Sequence, residues 1–433
     1  MRKLTVRNFS VIKEAELEFG KITVLIGPQA SGKSLLCKLA YFFEKGLIDL
    51  SIESVLNGSS WDDFTQAVLR EFGGWFSTNG WLRTNSRASF SSHRYEVIIS
   101  GEGDPLDPKI TIRFCSDFVI AYNSLRESLS EASAVGRSDR NGQRAEAWTA
   151  LRRILAEPFL DDILYIPAGR AFFTDMAKGI AALQNPEIDP LVRHFAGIIA
   201  WDTRWKVGLL SSGAGVTQAI EREMNRIAGG EVEVSAGIPR FLTPDGRSLS
   251  LGQLSSGTSE VLPLFNVLNR LAYLQENRQL YAQAKHSPPL ADSYPRSRPL
   301  VYLEEPEAHI FPNTQLQIVR LFAWLANDPI LSFQWVITTH SPYILTAFNA
   351  LIYAGQLANR GPELKEEVAK LVPKHLWIED GSFKAYCIRD GVLKSILSES
   401  GLIDGEYLDS VSDTIEHEFD SLLRLEYDHT EAS

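Results

Sequence analysis

The sequence predicts an α/β fold with a mixed central sheet, and three observations lead to this prediction. Short, apolar segments at residues 300–303 and 335–337 are typical of strands buried on both faces, and a segment with helical periodicity at 314–326 lies between them. Alternating apolar and polar residues near the N-terminus predict antiparallel strands. A glycine-rich turn joins an apolar segment at 22–26 to a helix-forming segment at 35–44. In such folds, ligands bind where parallel strands end.

The glycine-rich turn is a phosphate-loop motif, because it fits the pattern G-x-x-x-x-G-K-[ST]. Its glycines let backbone N–H groups and the helix N-terminus point at phosphate oxygens, while Lys33 reaches the β- and γ-phosphates and Ser34 ligates Mg²⁺. A chance glycine-rich turn is the alternative, but the flanking strand and helix favour nucleotide binding. The predicted phosphate-binding residues are Gly27, Pro28, Gln29, Ala30, Ser31, Gly32, Lys33 and Ser34.

The composition is that of an ordinary globular protein of 433 residues, enough for two or three domain-sized units. The three cysteines are isolated, which suggests neither a disulfide framework nor a zinc site. The N-terminus has no signal-peptide core, and the apolar stretches end well short of about 20 residues. We therefore expect a cytoplasmic protein without a membrane span.

The net charge of -11 is concentrated in one segment. Residues 401–433 carry ten acids and one base, whereas the first 400 residues carry 44 acids and 42 bases. The body of the protein is thus nearly neutral, and a local basic surface for DNA or RNA is neither predicted nor excluded.

The pattern along the chain predicts a core with insertions. We expect residues 1–45 and 230–400 to form the core, 46–135 an antiparallel β subdomain with a helical insert, 136–230 a helical insertion, and 401–433 an acidic C-terminal helix or cap. Within these regions we expect a hairpin at 95–99 and 110–114 with a third strand at 118–122. Segments 376–378 and 385–388 are expected to join the acidic helix in the cap.

Two groups of residues allow a nucleic-acid interpretation and a structural one. The aromatic residues between 61 and 81 could stack on bases, but packing on the core explains them more simply. Arginines between 137 and 153 could contact a nucleic acid, but a solvated helix face is the commoner reason for such a pattern.

Polar residues that suit nucleotide hydrolysis follow two of the predicted strands. Glu304 and Glu305 come directly after the apolar strand at 300–303, so one carboxylate can hold Mg²⁺ or its water while the next orients and deprotonates an attacking water. His340 ends the next strand, where its imidazole can bond to the γ-phosphate and the attacking water.

A serine-glycine segment at a helix start is a further candidate anion site. Ser255, Ser256 and Gly257 follow a strand and turn and offer hydroxyls and free N–H groups. The same three letters occur at 211–213. We choose the later copy because it follows a strand and precedes the acidic pair by some 45 residues.

Together, the segments GPQASGKS, LSSGTSE, LVYLEEPEAHIFP and ITTHSPYIL resemble the ABC-type ATPase heads of the RecF, SMC and OLD group, and most closely AAA15-type ATPases without coiled-coil arms. This resemblance implies a P-loop NTPase in which two heads enclose two ATP molecules. Lys33 and Ser34 of one head would face Ser255 and Gly257 of the other. Glu304 would be the magnesium-side acid, Glu305 the catalytic base and His340 the switch histidine.

The sequence departs from the family pattern at two places. Directly before the expected base, Glu304 replaces the usual Asp. In the segment LSSGTSE, which corresponds to the signature motif of ABC-type ATPases, Ser256 and Thr258 replace the usual Gly and Gln. No Q-loop glutamine is identifiable, and Arg170, at the expected position, is a candidate phosphate sensor. OLD-type relatives often carry a Toprim nuclease domain after the ATPase, and such a domain needs an Asp-x-Asp motif. The sequence after His340 contains no Asp-x-Asp, so we do not expect a nuclease in this segment.

These features predict an ATP-dependent switch, a homodimer or larger homo-oligomer that regulates a separately encoded effector such as a Toprim nuclease or another toxin. Related architectures include the ATPases of PARIS antiphage systems, which suggests a role in defence. A RecF-like repair ATPase that binds DNA, and a scaffold that binds ATP with little hydrolysis, are the alternatives.

Overall fold

A computed structural model describes residues 2–76, 85–104, 107–134, 140–155, 163–175, 188–209, 215–235, 238–277 and 298–405. The strands are β1 Lys3–Phe9, β2 Ile12–Glu18, β3 Ile22–Ile26, β4 Arg87–Ser92, β5 Tyr95–Asp104, β6 Asp107–Phe114, β7 Ile163–Ile166, β8 Glu231–Ser235, β9 Ile238–Leu242, β10 Ser248–Ser250, β11 Leu300–Glu304, β12 Gln334–Thr339, β13 Phe383–Arg389 and β14 Val392–Ser395.

The helices surround these strands. They are α1 Lys33–Tyr41, α2 Leu47–Leu56, α3 Trp61–Trp75, α4 Ser116–Ala134, α5 Arg140–Leu155, α6 Ala171–Asp175, α7 Pro190–Leu209, α8 Val216–Ala228, α9 Ser256–Glu276, α10 Pro312–Asn327, α11 Pro342–Ala358 and α12 Pro362–Leu371. A π-helical segment, Phe42–Gly46, joins α1 to α2.

An eleven-stranded mixed sheet runs through the described residues in the order β6-β5-β4-β1-β2-β14-β13-β3-β12-β11-β7. The strands β13, β3, β12, β11 and β7 are parallel neighbours, whereas β6, β5, β4, β1 and β2 are antiparallel neighbours. Strands β8, β9 and β10 form a separate antiparallel sheet. The predicted α/β fold with a mixed central sheet is therefore confirmed.

The parallel strands are buried on both faces, which explains their unbroken apolar sequences. Along β11, Val301 and Leu303 pack into one hydrophobic core, and Leu300 and Tyr302 pack into the core on the opposite face. The first core is covered by α8, α9, α10 and α11, and the second by α1, α2, α3 and α4. This double burial fixes the strand ends firmly between two helical layers.

The structure corrects two of the local predictions. Residues 118–122 lie in helix α4 and not in a third strand. Segment 385–388 belongs to β13, which lies in the middle of the sheet between β3 and β14 and not in a cap. The acidic residues 406–433 lie outside the described residues, and the division of the chain at residues 46, 136, 230 and 401 stays a prediction.

The aromatic residues from 61 to 76 pack in or against the core, as the simpler interpretation predicted, and Trp81 lies outside the described residues. Phe64, Phe72 and Phe76 are fully buried, and Trp61 packs edge-on against Tyr122. Among the arginines, Arg144 pairs with Glu53. No helix in the described part of the chain is long and apolar enough to cross a membrane.

Candidate functional site

Four adjacent parallel strands bring the predicted site together. In the order β3, β12, β11 and β7, they end at the phosphate loop, at His340, at the pair Glu304 and Glu305, and at the segment 167–170. Their register is parallel throughout, so all four carboxyl ends meet at one edge of the sheet. Residues that are more than 300 positions apart in sequence thus share one site, as expected for ligand binding in an open α/β sheet.

The phosphate loop has the backbone conformation that its glycines permit. Gly27 and Gly32 both have positive φ, and a side chain on Gly27 would lie only 2.4 Å from the carbonyl oxygen of Ile388 on β13. The Lys33 ammonium donates hydrogen bonds of 2.8 Å to the carbonyl oxygens of Gly27 and Pro28. Lys33 therefore lies folded over the loop, and Ser34 is exposed at the start of α1.

Burial lowers the pKa of Lys33, and the negative charges of Glu305 and Glu307 oppose this shift. The structure thus places both carboxylates near the lysine ammonium. Glu307 follows Glu305 by two positions, and sequence reasoning did not select it. The segment LEEPE does contain this third acid, but the direction in which a side chain points after a turn cannot be deduced from the sequence.

Glu304 and Glu305 point in different directions. The Glu304 carboxylate accepts hydrogen bonds from the Tyr165 hydroxyl at 2.6 Å and from the Ala168 N–H at 3.1 Å. Burial and the neighbouring Glu304 charge raise the pKa of Tyr165 well above its usual range, so its proton stays in place as a donor. Glu304 is therefore anchored to β7 and the loop that follows it.

Glu305 faces His340 instead. Its carboxylate Oε1 lies 3.4 Å from His340 Nε2, and both side chains remain partly open to solvent. The backbone at Glu305 has a φ of +41°, a left-handed conformation that is rare for a non-glycine residue. Strain of this kind persists only where surrounding contacts fix the backbone, and the Glu305 N–H donates to the Thr338 carbonyl at 2.9 Å.

Two contacts connect the segment after Glu305 to the end of β12. Glu307 Oε1 accepts a 2.6 Å hydrogen bond from the His340 N–H. Gln315 accepts from the Ser341 hydroxyl at 2.6 Å and donates to the Ile310 carbonyl at 2.9 Å. The position of His340 relative to Glu305 is therefore fixed by side chains on both sides of it.

Arg170 does not occupy the position expected of a phosphate sensor. Its side chain is fully buried, and its guanidinium donates to the backbone carbonyls of Pro167, Glu304 and Glu305. It supports the strand end from inside the protein. Sequence reasoning missed this role because the three acceptors are backbone oxygens, two of them more than 130 residues away.

The serine-glycine segment at 255–257 forms the start of α9. Ser255 is the N-cap, and its hydroxyl accepts from the Thr258 N–H at 3.2 Å. Ser255 and Ser256 are exposed, and in the described residues no hydrogen bond joins this segment to the phosphate loop. The competing segment at 211–213 lies outside the described residues.

The oxygen-rich donor set of the site fits a magnesium nucleotide. Mg²⁺ prefers oxygen ligands, which the exposed Ser34 hydroxyl and the Glu304 carboxylate offer. A carboxylate has about four acceptor positions, so the two bonds to Glu304 leave it further capacity. In addition, Ser31 Oγ and Glu307 Oε2 are buried atoms that find no hydrogen-bond partner among the described residues. Such unpaired atoms at a site are consistent with a polar ligand.

Comparison with protein families gives one match. Residues 184–345 match the family model described as "AAA ATPase domain", which supports the resemblance to AAA15-type ATPases and an ATPase of the P-loop kind. The match includes the segment at 255–257, the acidic pair and His340, but not the phosphate loop, and it covers well under half of the chain. No curated protein matches the sequence significantly. The more specific resemblance to the ATPase of a PARIS system is not supported.

Several solved structures have a similar arrangement at low sequence identity. The SMC head domain from Thermotoga maritima is 12% identical, covers 92% of this chain and 98% of its own, and gives a TM-score of 0.38. An SMC head domain bound to the C-terminal domain of ScpA, derived from Pyrococcus furiosus, is 13% identical and covers 96% of this chain and 100% of its own, with a TM-score of 0.36.

An ATP-binding cassette of an ABC transporter in its ADP conformation, MJ1267, is 11% identical, covers 96% of this chain and 98% of its own, and gives a TM-score of 0.33. Similarities at this level carry no argument about ligands or partners.

Proposed function

We propose that the protein binds ATP with Mg²⁺ at the phosphate loop and hydrolyses it to ADP and phosphate. The observation that carries this proposal is the meeting of Lys33, Glu305 and His340 at one edge of the sheet, with His340 Nε2 only 3.4 Å from the Glu305 carboxylate. A base, a hydrogen-bonding imidazole and a phosphate-binding lysine on neighbouring strand ends are the groups that this hydrolysis requires.

In this mechanism, Lys33 exchanges its bonds to the Gly27 and Pro28 carbonyls for phosphate oxygens. Glu305 orients and deprotonates the attacking water, and His340 bonds to that water or to the γ-phosphate. Mg²⁺, when bound, would neutralise charge on the phosphates, and Ser34 and Glu304 are the residues that would hold it. Glu304 would hold Mg²⁺ with its carboxylate still hydrogen-bonded to the Tyr165 hydroxyl and the Ala168 N–H.

We further propose that two copies of the chain complete the site. Ser255 and Ser256 are exposed, and in the described residues no hydrogen bond joins them or Gly257 to the phosphate loop of their own chain, so in a dimer this segment can bind the nucleotide of the partner. Large apolar side chains near the strand ends are also exposed, notably Phe311 at 76% and Tyr343 at 56%. Exposed aromatic residues of this kind are typical of protein interfaces.

Glu305→Gln tests the hydrolytic proposal. We expect hydrolysis to fall by about 10²- to 10⁴-fold, while ATP binding and ATP-dependent assembly persist. Glu16→Gln is the matched control, because Glu16 is an exposed carboxylate on β2 that pairs with Lys3. Equal turnover in Glu305→Gln and the control would remove Glu305 from the mechanism. Absence of hydrolysis in the unaltered protein, with ATP binding retained, would favour the scaffold alternative.

We propose that the nucleotide state controls a separately encoded effector protein, in a role such as antiphage defence. This finer proposal rests on the resemblance of the sequence to a group of ATPase heads that includes the ATPases of PARIS antiphage systems. On the outer face of the sheet, Lys3 and Arg7 pair with Glu16 and Glu14, so this face is not a uniformly basic DNA surface.

Measuring hydrolysis with duplex DNA at several salt concentrations separates the effector proposal from the DNA alternative. A response to DNA that falls with salt would favour a repair ATPase, and a flat response would favour a protein effector. A Toprim-like or other toxic protein encoded by a neighbouring gene would support the effector proposal directly.

A further inference from the structure

The side chain of Arg170 is fully buried. One guanidinium nitrogen donates to the carbonyl oxygens of Pro167 at 3.0 Å and Glu304 at 2.5 Å, and another donates to the carbonyl of Glu305 at 2.9 Å. The side chain therefore holds the peptide groups on both sides of the Glu305 Cα, where the backbone takes its strained conformation.

The third nitrogen of the same guanidinium faces another element. Arg170 Nε lies 3.6 Å from Glu260 Oε2, and the side chains of both residues are almost completely excluded from solvent. Glu260 lies in the first turns of α9, five positions after Ser255. One planar side chain thus connects the helix that presents the serine-glycine segment to the strand end that carries the proposed base.

Neighbouring contacts fix the same two elements. The Thr174 hydroxyl on α6 donates to the Ser259 carbonyl at 2.7 Å. A side chain on Gly257 would approach the His309 carbonyl to 3.0 Å, so the start of α9 packs closely on the segment after Glu305. Movement of the start of α9 would therefore act on residues 304–309 at short range.

The charges around Arg170 explain why its guanidinium remains charged in the interior. Burial lowers its pKa, while the carboxylates of Glu260, Glu307, Glu304 and Glu305 oppose that shift. A buried ion pair adds little to stability compared with apolar packing, and positioning is its better-attested use. Lysine, with one point charge, cannot make the same planar set of bonds.

We propose that Arg170 is a positioning residue that couples the start of α9 to the backbone of Glu304 and Glu305. This inference rests on the proposed function in that Glu305 is the base whose position is controlled. When the serine-glycine segment of one copy engages the nucleotide of another, Glu260 transmits the displacement of α9 through Arg170 to the carbonyls of Glu304 and Glu305. Engagement of the second copy thereby sets the position of the base.

Hydrogen exchange of the nucleotide-free protein tests this coupling without relying on ATP. The informative variant is Glu260→Gln, which alters α9 but leaves Arg170 and the strand end unchanged. We expect at least a threefold faster exchange of backbone amides in residues 304–309 as well as at the start of α9. Arg170→Lys should accelerate both segments. Arg144→Lys, which alters the ion pairs that Arg144 on α5 makes with Asp49 and Glu53 on α2, is the matched control and should accelerate neither.

Faster exchange confined to α9 in Glu260→Gln, with residues 304–309 unchanged, would overturn the coupling. An equal response in Arg144→Lys would also overturn it, because general destabilisation would then explain the result. If a variant has a much lower melting temperature, its exchange rates are measured at a temperature that lies as far below its own melting temperature as the reference measurement lies below that of the unaltered protein. The rates in the two segments can then be compared between the proteins.

Hydrolysis provides a second, separate measurement. In folded Arg170→Lys we expect the kcat for ATP to fall at least tenfold with little change in the Kd for ATP, and the double variant Arg170→Lys/Glu260→Gln to be no worse, because the two residues act as a unit. Unchanged kcat in folded Arg170→Lys, or independent additive losses, would overturn the positioning role. A protein that shows coupled exchange but no hydrolysis in its unaltered form would contradict the proposed function and leave the coupling intact.

Discussion

The two halves of the large sheet differ in how their strands are buried and in which candidate site residues they carry. In the parallel half, β11 is buried along its apolar length, whereas β1 in the antiparallel half alternates between buried and exposed residues. The candidate site residues on strand ends all lie in the parallel half. Neighbouring parallel strands bring their carboxyl ends to one edge, but antiparallel neighbours alternate their ends, so only the parallel half can assemble several strand ends into one site.

The antiparallel half has a different task. Leu4, Val6 and Leu17 pack with α1, α2 and α3 in one core, and the outer face of these strands is polar. It supports the helix that begins at Lys33. The comparison therefore predicts that substitutions in the parallel half change activity, and that equivalent ones in the antiparallel half change stability alone.

The largest effect is expected for His340→Ala, compared with His93→Ala at the turn between β4 and β5. Removing the imidazole next to Glu305 should lower kcat by about 10²-fold, because the attacking water and γ-phosphate lose a hydrogen-bonding group. His93→Ala should retain normal turnover. Steady-state ATPase assays compare the two variants. Similar activities would contradict the prediction that only the parallel half takes part in hydrolysis.

A pair of core leucines separates stability from activity. Leu303→Ala in β11 and Leu4→Ala in β1 each remove a nearly fully buried side chain and should cost about 2–5 kcal/mol of unfolding free energy. Only Leu303→Ala should also lower the activity of the folded fraction, because Glu304 and Glu305 directly follow it. Denaturant unfolding and ATPase assays measure the two quantities, and equal specific activities would argue against a strand-end site.

The pH dependence of nucleotide binding should reveal Lys33. Because burial lowers its pKa, Lys33 loses its charge at a lower pH than an ordinary lysine does as the pH rises. We expect ATP affinity to fall by up to about tenfold per pH unit above that pKa, whereas Lys33→Arg should lose little affinity over the same range. Calorimetric titrations from neutral to moderately alkaline pH test this, and parallel profiles would contradict it.

The smallest effect is expected on the outer face of the antiparallel half. Arg7 and Glu14 form a 3.4 Å ion pair between β1 and β2, and both side chains are more than half exposed. Glu14→Gln should change the unfolding free energy by less than about 1 kcal/mol and leave turnover unchanged. Thermal unfolding and an ATPase assay suffice, and a large loss of activity would show that this face takes part in function.

The sequence predicted the fold class and brought Lys33, Glu305 and His340 into one hypothesis because each lies in a local motif at a strand end. The strand predicted at 118–122 was wrong because too short a stretch was considered. Over the longer span, the buried residues have helical spacing, and they are Phe118, Ala121, Tyr122, Leu125 and Leu129.

Other features had no local signal. The anchoring of Glu304 by Tyr165 depends on the pairing of β7 with β11, which joins segments about 140 residues apart. The burial of Arg170 depends on that pairing and on α9 as well. Contacts with backbone oxygens are not reflected in residue type, so sequence patterns could not predict that Arg170 is buried against the strand end.

The position of β3 in the sheet also has a consequence for how the chain folds. Its two neighbours are β12, Gln334–Thr339, and β13, Phe383–Arg389, both of which follow it by more than 300 residues. During synthesis, the strand that carries the phosphate loop therefore cannot pair with either of its sheet neighbours until most of the chain has been translated. Pairings so distant in sequence form slowly, so a nascent chain acquires its ability to bind nucleotide only late, after β12 and β13 have left the ribosome.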